Sequence, residues 1–447
     1  MSGKAFFDRD VVVKLNFKNN PFGEKVTYDK LSLACLTFCW RIFARRLLAR
    51  RLIVWWGEDI MKRPFLIALF FGATFLQAGP YGLTFVLPPL FAGFDGSAAD
   101  VGNTLALTAI STLFIVMFSG HVTDRLGRMP TIAWSGGIIA LSLVLFATAV
   151  GVGVQIYAAG ILLGLGWGLF YTLTPVALGQ IIAPDERVRF FTLLSVFIMA
   201  GFGLAPVMSS WIEHIGLGLH AAFIITAGLC LISGLIFAVI ARPFRQHIVA
   251  PAAAGQSDEL SFGLAARVMR TRAAVPTWMV GLGASVFAGV TNFQAVYAAD
   301  SGFDYADYFL TYTITVIACR VLFAEFVGGR NPYGVIALLM VVMATSVGLF
   351  LLLGDSGWLY LLAAALFGIG YGVSYPIVKA MAANEAEAEL MPQTMQLFGL
   401  SYFIGVFGFP FAAGWIIVKA SIAALLLVSL VLALVETALA TRRFLAR

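Results

Sequence analysis

Apolar stretches of about the 20 residues that cross a bilayer alternate along most of this chain with short polar turns. From residue 61 onward the pattern predicts twelve spans, at 65–90, 101–119, 130–150, 154–179, 190–212, 218–241, 276–299, 305–327, 333–353, 357–382, 393–418 and 420–441. The expected fold is therefore an all-α membrane protein with twelve transmembrane helices. The longest polar break in this body runs from Arg242 to Val275, with a Pro/Ala/Gly/Ser/Gln stretch at Ala250–Ser257 and a short amphipathic helix expected around Ser261–Met269. It divides the spans six and six. The first 60 residues differ: Leu31–Trp40 is too short to span, and Arg41, Arg45, Arg46, Arg50 and Arg51 follow it at once.

Composition narrows the class. The chain is 60% hydrophobic and 12% charged, where a soluble domain has about 45–50% and 25%. Residues 1–60 hold eleven Lys/Arg against six Asp/Glu, and the rest holds eighteen against seventeen. Basicity beside a membrane points to anionic lipid rather than nucleic acid. The tail reads as a non-essential or upstream-translated extension, a basic lipid anchor or a regulatory segment; Met61-Lys-Arg-Pro looks the more natural beginning. Cys35 and Cys39 lack partner ligands, and Cys230 and Cys319 fall inside spans as packing residues, so neither a metal site nor a disulfide framework is expected. No nucleophile–base set or nucleotide loop argues for an enzyme.

Lys and Arg set orientation. The turns holding Arg125/Arg128, Arg187/Arg189, Arg242 to Arg272, Arg330 and Lys379 fall on one side, with both ends of the body, while the other side has Lys419 and seven acids. The basic side is expected to be cytoplasmic, with both termini there.

An internal repeat supports two related halves. Gly164-Leu-Gly-Trp-Gly returns as Gly368-Ile-Gly-Tyr-Gly, Leu194-Ser-Val-Phe-Ile as Leu400-Ser-Tyr-Phe-Ile, Pro206 and Trp211 as Pro410 and Trp415, and Gly93-Phe-Asp as Gly302-Phe-Asp. The predicted organisation is a 1–60 extension, a 61–241 six-helix bundle, a 242–275 cytoplasmic linker and a 276–447 six-helix bundle, the two bundles pseudo-symmetric. Such halves form a midplane cavity at their interface.

Between spans 2 and 3 the chain reads Gly120-His-Val-Thr-Asp124-Arg125-Leu-Gly127-Arg128. Gly-x-x-x-Asp-Arg-x-Gly-Arg at this turn resembles the signature of the major facilitator superfamily. The resemblance implies a conformational latch that holds the outward-open state: Gly120 letting spans 2 and 11 approach, Asp124 against the N-terminal end of span 11, and Arg125 and Arg128 on acids or phosphate headgroups. The alternative is an ordinary positive turn. Glu325-Phe-Val-Gly-Gly-Arg330 is the degraded counterpart. In span 5, Gly201-x-x-x-Ala205-Pro206-x-x-Ser209 resembles the packing motif of the superfamily's drug/proton-antiporter-like exporter branch, with Ala205 and Ser209 where that motif has glycine. The bland reading is ordinary small-residue helix packing.

The resemblance places the substrate cavity on spans 1, 4, 7 and 10, whose interiors hold no charged residue. Candidate lining groups are Gln77, Tyr81, Trp167, Tyr171, Asn292, Gln294, Tyr371 and Tyr375, with Ser374 beside them; interhelical bonding is the competing role for the amides, and packing for the aromatics. A cavity without fixed charge favours a neutral or amphipathic ligand. Arg320, about 10 Å inside span 8 by helix rise, is an intramembrane charge that snorkels, pairs with Glu325 or faces the cavity. Glu436 is expected to snorkel, leaving Asp124, Asp100, Asp307 and Glu325 as candidates to carry protons.

The expected function is a secondary carrier working by alternating access. It would export small neutral or amphipathic compounds in exchange for protons, with no cofactor, as a monomer in a bacterial inner membrane. An importer or facilitator of a neutral metabolite is the alternative, and a non-transporting membrane sensor the third reading.

Overall fold

Capping side chains start the helices Ala98–Leu126, Pro332–Phe350 and Ile422–Leu445, and a proline in the first turn marks Pro332–Phe350 and Met391–Lys419. The computed structural model describes residues 63–183, 186–248, 262–322 and 331–446. Helices α1 (Arg63–Ala92), α2 (Ala98–Leu126), α3 (Arg128–Ala147), α4 (Val154–Ile181), α5 (Arg187–His214) and α6 (Gly218–Gln246) form the first half. The second half comprises α7 (Ala274–Asn292, continued as Gln294–Ser301), α8 (Tyr305–Leu322), α9 (Pro332–Phe350), α10 (Gly357–Glu385), α11 (Met391–Lys419) and α12 (Ile422–Leu445). Eleven are long and apolar enough to cross a membrane by themselves. The described part of α8, which carries Asp307 and Arg320, takes the eighth place. Residues 1–60, the 249–261 stretch and Glu325 lie outside the described residues.

Local chemistry sets several boundaries. Ser97 and Asp100 form a capping box at the start of α2, so Asp100, expected as a proton-carrying acid, is a helix cap. Gly127 alone separates α2 from α3 at φ 84°, a backbone that only glycine adopts without strain. Lys379, expected in a turn, lies inside α10.

The two halves repeat the same packing. In the first, α1 packs on α5 and α6, α4 on α2 and α3, and α3 on α6; in the second, α7 packs on α11 and α12, α10 on α8 and α9, and α9 on α12. The glycine triads explain why α4 and α10 sit so close to their neighbours. A Cβ on Gly164 would overlap the Ser111 hydroxyl and Thr108 carbonyl of α2, and one on Gly166 would come within 2.5 Å of Ile139 on α3. The repeat-related Gly370 meets Met343 of α9 in the same way, at 2.7 Å. Gly201 packs α5 onto Phe75 and Ala78 of α1, and Gly405 packs α11 onto Gly281 and Ala284 of α7. Ala205 is buried beside Gly79 and Gly82, and Pro206 lies within α5. In lipid, where no hydrophobic effect joins helices, such close backbone approach supplies the attraction.

On the face carrying the basic turns, hereafter the basic face, Arg63 at the start of α1 forms a two-pronged ion pair with Glu186, which precedes α5. The hydrogen bonds from Arg63 and from the Ala183 backbone N–H hold the Glu186 carboxyl below the usual carboxylate range. A lowered value means that this link is present at neutral pH and is lost as pH falls through it. The thermal-stability gap between wild type and Glu186→Gln, measured in detergent, is therefore expected to be small and to close below the ordinary glutamate range. A gap constant with pH would deny the pair any part in stability.

Candidate aromatic transport site

The bundles meet through the acidic-face halves of α2 with α11 and of α5 with α8. A Cβ on Gly102 would lie 2.6 Å from the Pro410 carbonyl, and Gly414 is pressed against the Ala98 carbonyl. Gly203 meets the side chain of Thr313. Polar bonds close the same end: Tyr305 donates to Glu213 at 2.7 Å, Ser210 to Asp304 at 3.2 Å, and the Trp415 indole to Asn103 at 3.4 Å. Helices α1 and α7 break at facing positions, a 3-10 turn at Thr84–Val86 and a kink at Phe293. There Thr84 donates across the interface to Asn292 at 3.2 Å.

Midway through the bundles an aromatic wall joins both halves. Tyr81 stacks on Trp167 at 4.9 Å, Trp167 on Tyr171 at 5.7 Å and Tyr171 on Tyr402 at 5.9 Å. Tyr402 touches Tyr375 at 5.0 Å. Tyr371 stacks on Phe287 at 4.5 Å, and Phe85 on Phe309 at 5.2 Å. Tyr171 donates to Tyr375 at 3.4 Å; both are half-buried, and each stands ten residues from the basic-face end of its helix. That is about 15 Å deep by helix rise.

Arg320 lies in the same region, 6% exposed. Pro376 has no N–H, which leaves the Gly372 carbonyl without its helical partner. The Nε of Arg320 donates to that carbonyl at 2.9 Å, and Nη1 reaches the Ser195 carbonyl of α5 in the other bundle at 3.4 Å. Of the fates expected for Arg320, snorkelling is not what this conformation shows. Its guanidinium is turned inward and bonded to backbone, and its expected partner Glu325 falls outside the described residues.

Three amides expected in the cavity are engaged elsewhere. Gln77 is fully buried inside the first bundle, donating to Ser135 at 2.7 Å and accepting from Ser233 at 2.9 Å. Gln294 donates to Tyr360 within the second bundle. Asn292 is the interface clamp opposite Thr84, not a lining group in this conformation. Gln77 has both amide atoms bonded to neighbouring helices, and the Asn292 amide N–H also donates to the Ala288 carbonyl of its own helix at 3.0 Å, as burial in an apolar bundle requires.

Toward the basic face the interbundle hydrogen bonds among the described residues end at Tyr171–Tyr375 and Arg320–Ser195. Asp124 and Arg125 are exposed, and a Cβ on Gly120 would meet nothing within 4 Å. No described hydrogen bond or ion pair joins the side chain of Asp124, Arg125 or Arg128 to α11. Gly127 lies beside Arg245 of α6. Among the described residues the bundles are closed at the acidic face, and the Gly120–Arg128 turn makes no hydrogen bond or ion pair to α11.

The sequence profile of the Major Facilitator Superfamily matches residues 69–410. The chain belongs to this superfamily. Its fold is similar to that of a single-residue variant of the nucleoside transporter NupG, with TM-score 0.69 and 16% identity over 85% of this chain and 100% of that one. It is also similar to the POT family transporter PepTSo, with TM-score 0.68 and 15% identity over 87% and 99%. No curated protein matches it in sequence.

For a superfamily carrier, the groups that sequence reasoning missed are instructive. Tyr402 and Phe403 on α11 complete the wall, and their signal was present: they fall in Leu400-Ser-Tyr-Phe-Ile, one of the repeated segments. Phe202 and Phe407 pack edge-on to Tyr81, and nothing in spacing alone separates them from the 39 phenylalanines of the chain. Glu436, expected to snorkel, is 2% exposed and turned into the second bundle.

Proposed function

We propose that this carrier works by alternating access, exporting small neutral or amphipathic compounds from the cytoplasm in exchange for protons. The aromatic wall carries the reading. Tyr81, Trp167, Tyr171, Tyr375 and Tyr402 offer ring faces and phenol hydroxyls from both bundles, a surface that holds flat apolar ligands by stacking and orients them by a few hydrogen bonds. The buried guanidinium of Arg320, the one among the described residues, is already engaged with two backbone carbonyls, so the wall offers little to a multiply charged solute. The basic face is the cytoplasmic one by the positive-inside rule, and the unlatched Gly120–Arg128 turn then belongs to a cytoplasm-facing state. Gly201, Ala205 and Pro206 at the α1–α5 contact support the exporter branch.

The same wall suits a neutral aromatic metabolite moving inward, which is the second reading; the hydroxyl pair Tyr171–Tyr375 favours it. Flux of a compound panel that includes the neutral dye Nile red, in inside-out vesicles with and without an imposed pH gradient, separates the two. Export by exchange is expected to give dye accumulation that collapses with the gradient. Equal counterflow of a neutral metabolite without any gradient would replace the export reading with the second one.

A further inference from the structure

Glu436 is the buried acid that the transport site leaves unused. It sits on α12 seven residues before Arg443, about 10 Å deeper along the helix. Its carboxyl makes no hydrogen bond among the described residues, and Oε2 is fully enclosed. Opposite it on α7 is Gly283, where a Cβ would stand 3.0 Å from Oε2 and 3.1 Å from Oε1. The missing side chain is what makes room for the carboxyl. A crevice of about 10 Å³, bordered by Met279, Val280, Tyr371, Ser374, Tyr375 and Val378, joins Glu436 to the back of the aromatic wall. It has space for about one water molecule.

Among the described residues the surroundings supply no counter-charge. From α10, Tyr371 and Tyr375 face the crevice, and Ser374 is already donating to the Tyr371 carbonyl. From α7 come Met279, Val280 and Gly283, none of them titratable. On α9, Tyr333 is bonded to Glu385 of α10, and Glu385 to Arg443, two turns nearer the basic face. Helix α11 packs on α12 through Phe409–Lys419, toward the opposite end. An ionised carboxylate in this position has no partner among the described residues and room beside it for about one water, and buried charges of that kind are avoided by neutralisation. A metal cation would need several oxygen ligands, which one carboxyl and two phenols around a one-water space do not provide.

We propose that Glu436 is an exchangeable proton site. An O–H bond forms at its carboxyl oxygen with a proton taken from water, and the closed packing of α7, α10 and α12 seen here keeps that bond. When Tyr371 and Tyr375 move, the crevice opens, the O–H bond breaks and the proton returns to water. Because those two tyrosines also form the transport wall, ligand occupancy on one side and protonation on the other act on the same pair of rings. The role of the site in transport rests on the proton-exchange reading above; the existence of the site does not.

The test uses the full chain in liposomes. Infrared difference spectra recorded over a pH titration are expected to show a carboxylic C=O band that titrates in wild type and is missing from Glu436→Gln. A wild type with no titrating carboxyl band, or a band unchanged in the variant, overturns the proposal. In Nile red flux, Glu436→Gln is expected to lose the gradient-driven component down to the level of protein-free liposomes while keeping dye counterflow. Where wild type shows a gradient-driven component, a variant that keeps it overturns the proposed role of the site in exchange. If wild type has a titrating Glu436 band but no gradient-driven flux, the proton site stands and the exchange mechanism falls.

Discussion

Lysine in place of Arg320 is expected to abolish net transport in a protein that still inserts and runs as a single species on gel filtration. Lysine keeps the charge and loses the planar fork. Arg320 uses that fork to reach two carbonyls on different helices, Gly372 of its own bundle and Ser195 of the other. A single ammonium cannot span both. A well-formed hydrogen bond to a charged group contributes about 1.5–3 kcal/mol. The interbundle one is long at 3.4 Å, so losing it is expected to shift the balance of states by about tenfold, the low end of that range. The intrabundle bond also matters, because Pro376 leaves the Gly372 carbonyl otherwise unmet. Arg320→Ala is therefore expected to lower the melting temperature as well as the flux. Transport near the wild-type rate in Arg320→Lys would mean that charge alone suffices.

The second large effect is expected from Gly203→Val. At this crossing of α5 and α8 a Cβ would overlap the Thr313 hydroxyl, with the rest of that side chain at 2.9 Å. Overpacking a close helix contact costs about 1–3 kcal/mol, and here the bundles can relieve it only by parting at the acidic face. The variant should therefore rest open on that side. With Asn103→Cys as reporter, in a background without the native cysteines, labelling by a membrane-impermeant maleimide should speed up by roughly tenfold or more. Thr313→Gly in the same chain should restore slow labelling. Unchanged labelling in Gly203→Val would show that this contact does not hold the face shut.

Much of the architecture was readable beforehand because lipid leaves helices little choice: every backbone polar group must be satisfied within the span. Span positions, the six-and-six division and the glycine triads follow from that rule and from the repeat. The site was only half legible. Tyr171 and Tyr375 share the 204-residue offset of the glycine triads, and the structure brings them together. Polarity alone points Gln77 and Gln294 to the cavity, but a buried amide is equally at home bonded to Ser135 and Ser233, or to Tyr360, and sequence contains no signal for which. Glu436 differs from its expected place in direction. Its position near a helix end suggested escape to water, whereas its direction is set by the apolar stripe Leu425, Leu426, Ser429, Ala433, Ala440 on which it lies. The kink at Phe293 has no proline to announce it, unlike the break in α1 before Pro88 and Pro89.

Tyr171 and Tyr375 are equivalent positions 204 residues apart, and they touch each other. Equivalent positions in contact lie on the axis that relates the two halves. Each ring is encoded by its own codon, so either one can change without the other. An asymmetric ligand specificity is then within reach of a single substitution at either tyrosine, without any rearrangement of the helices around it.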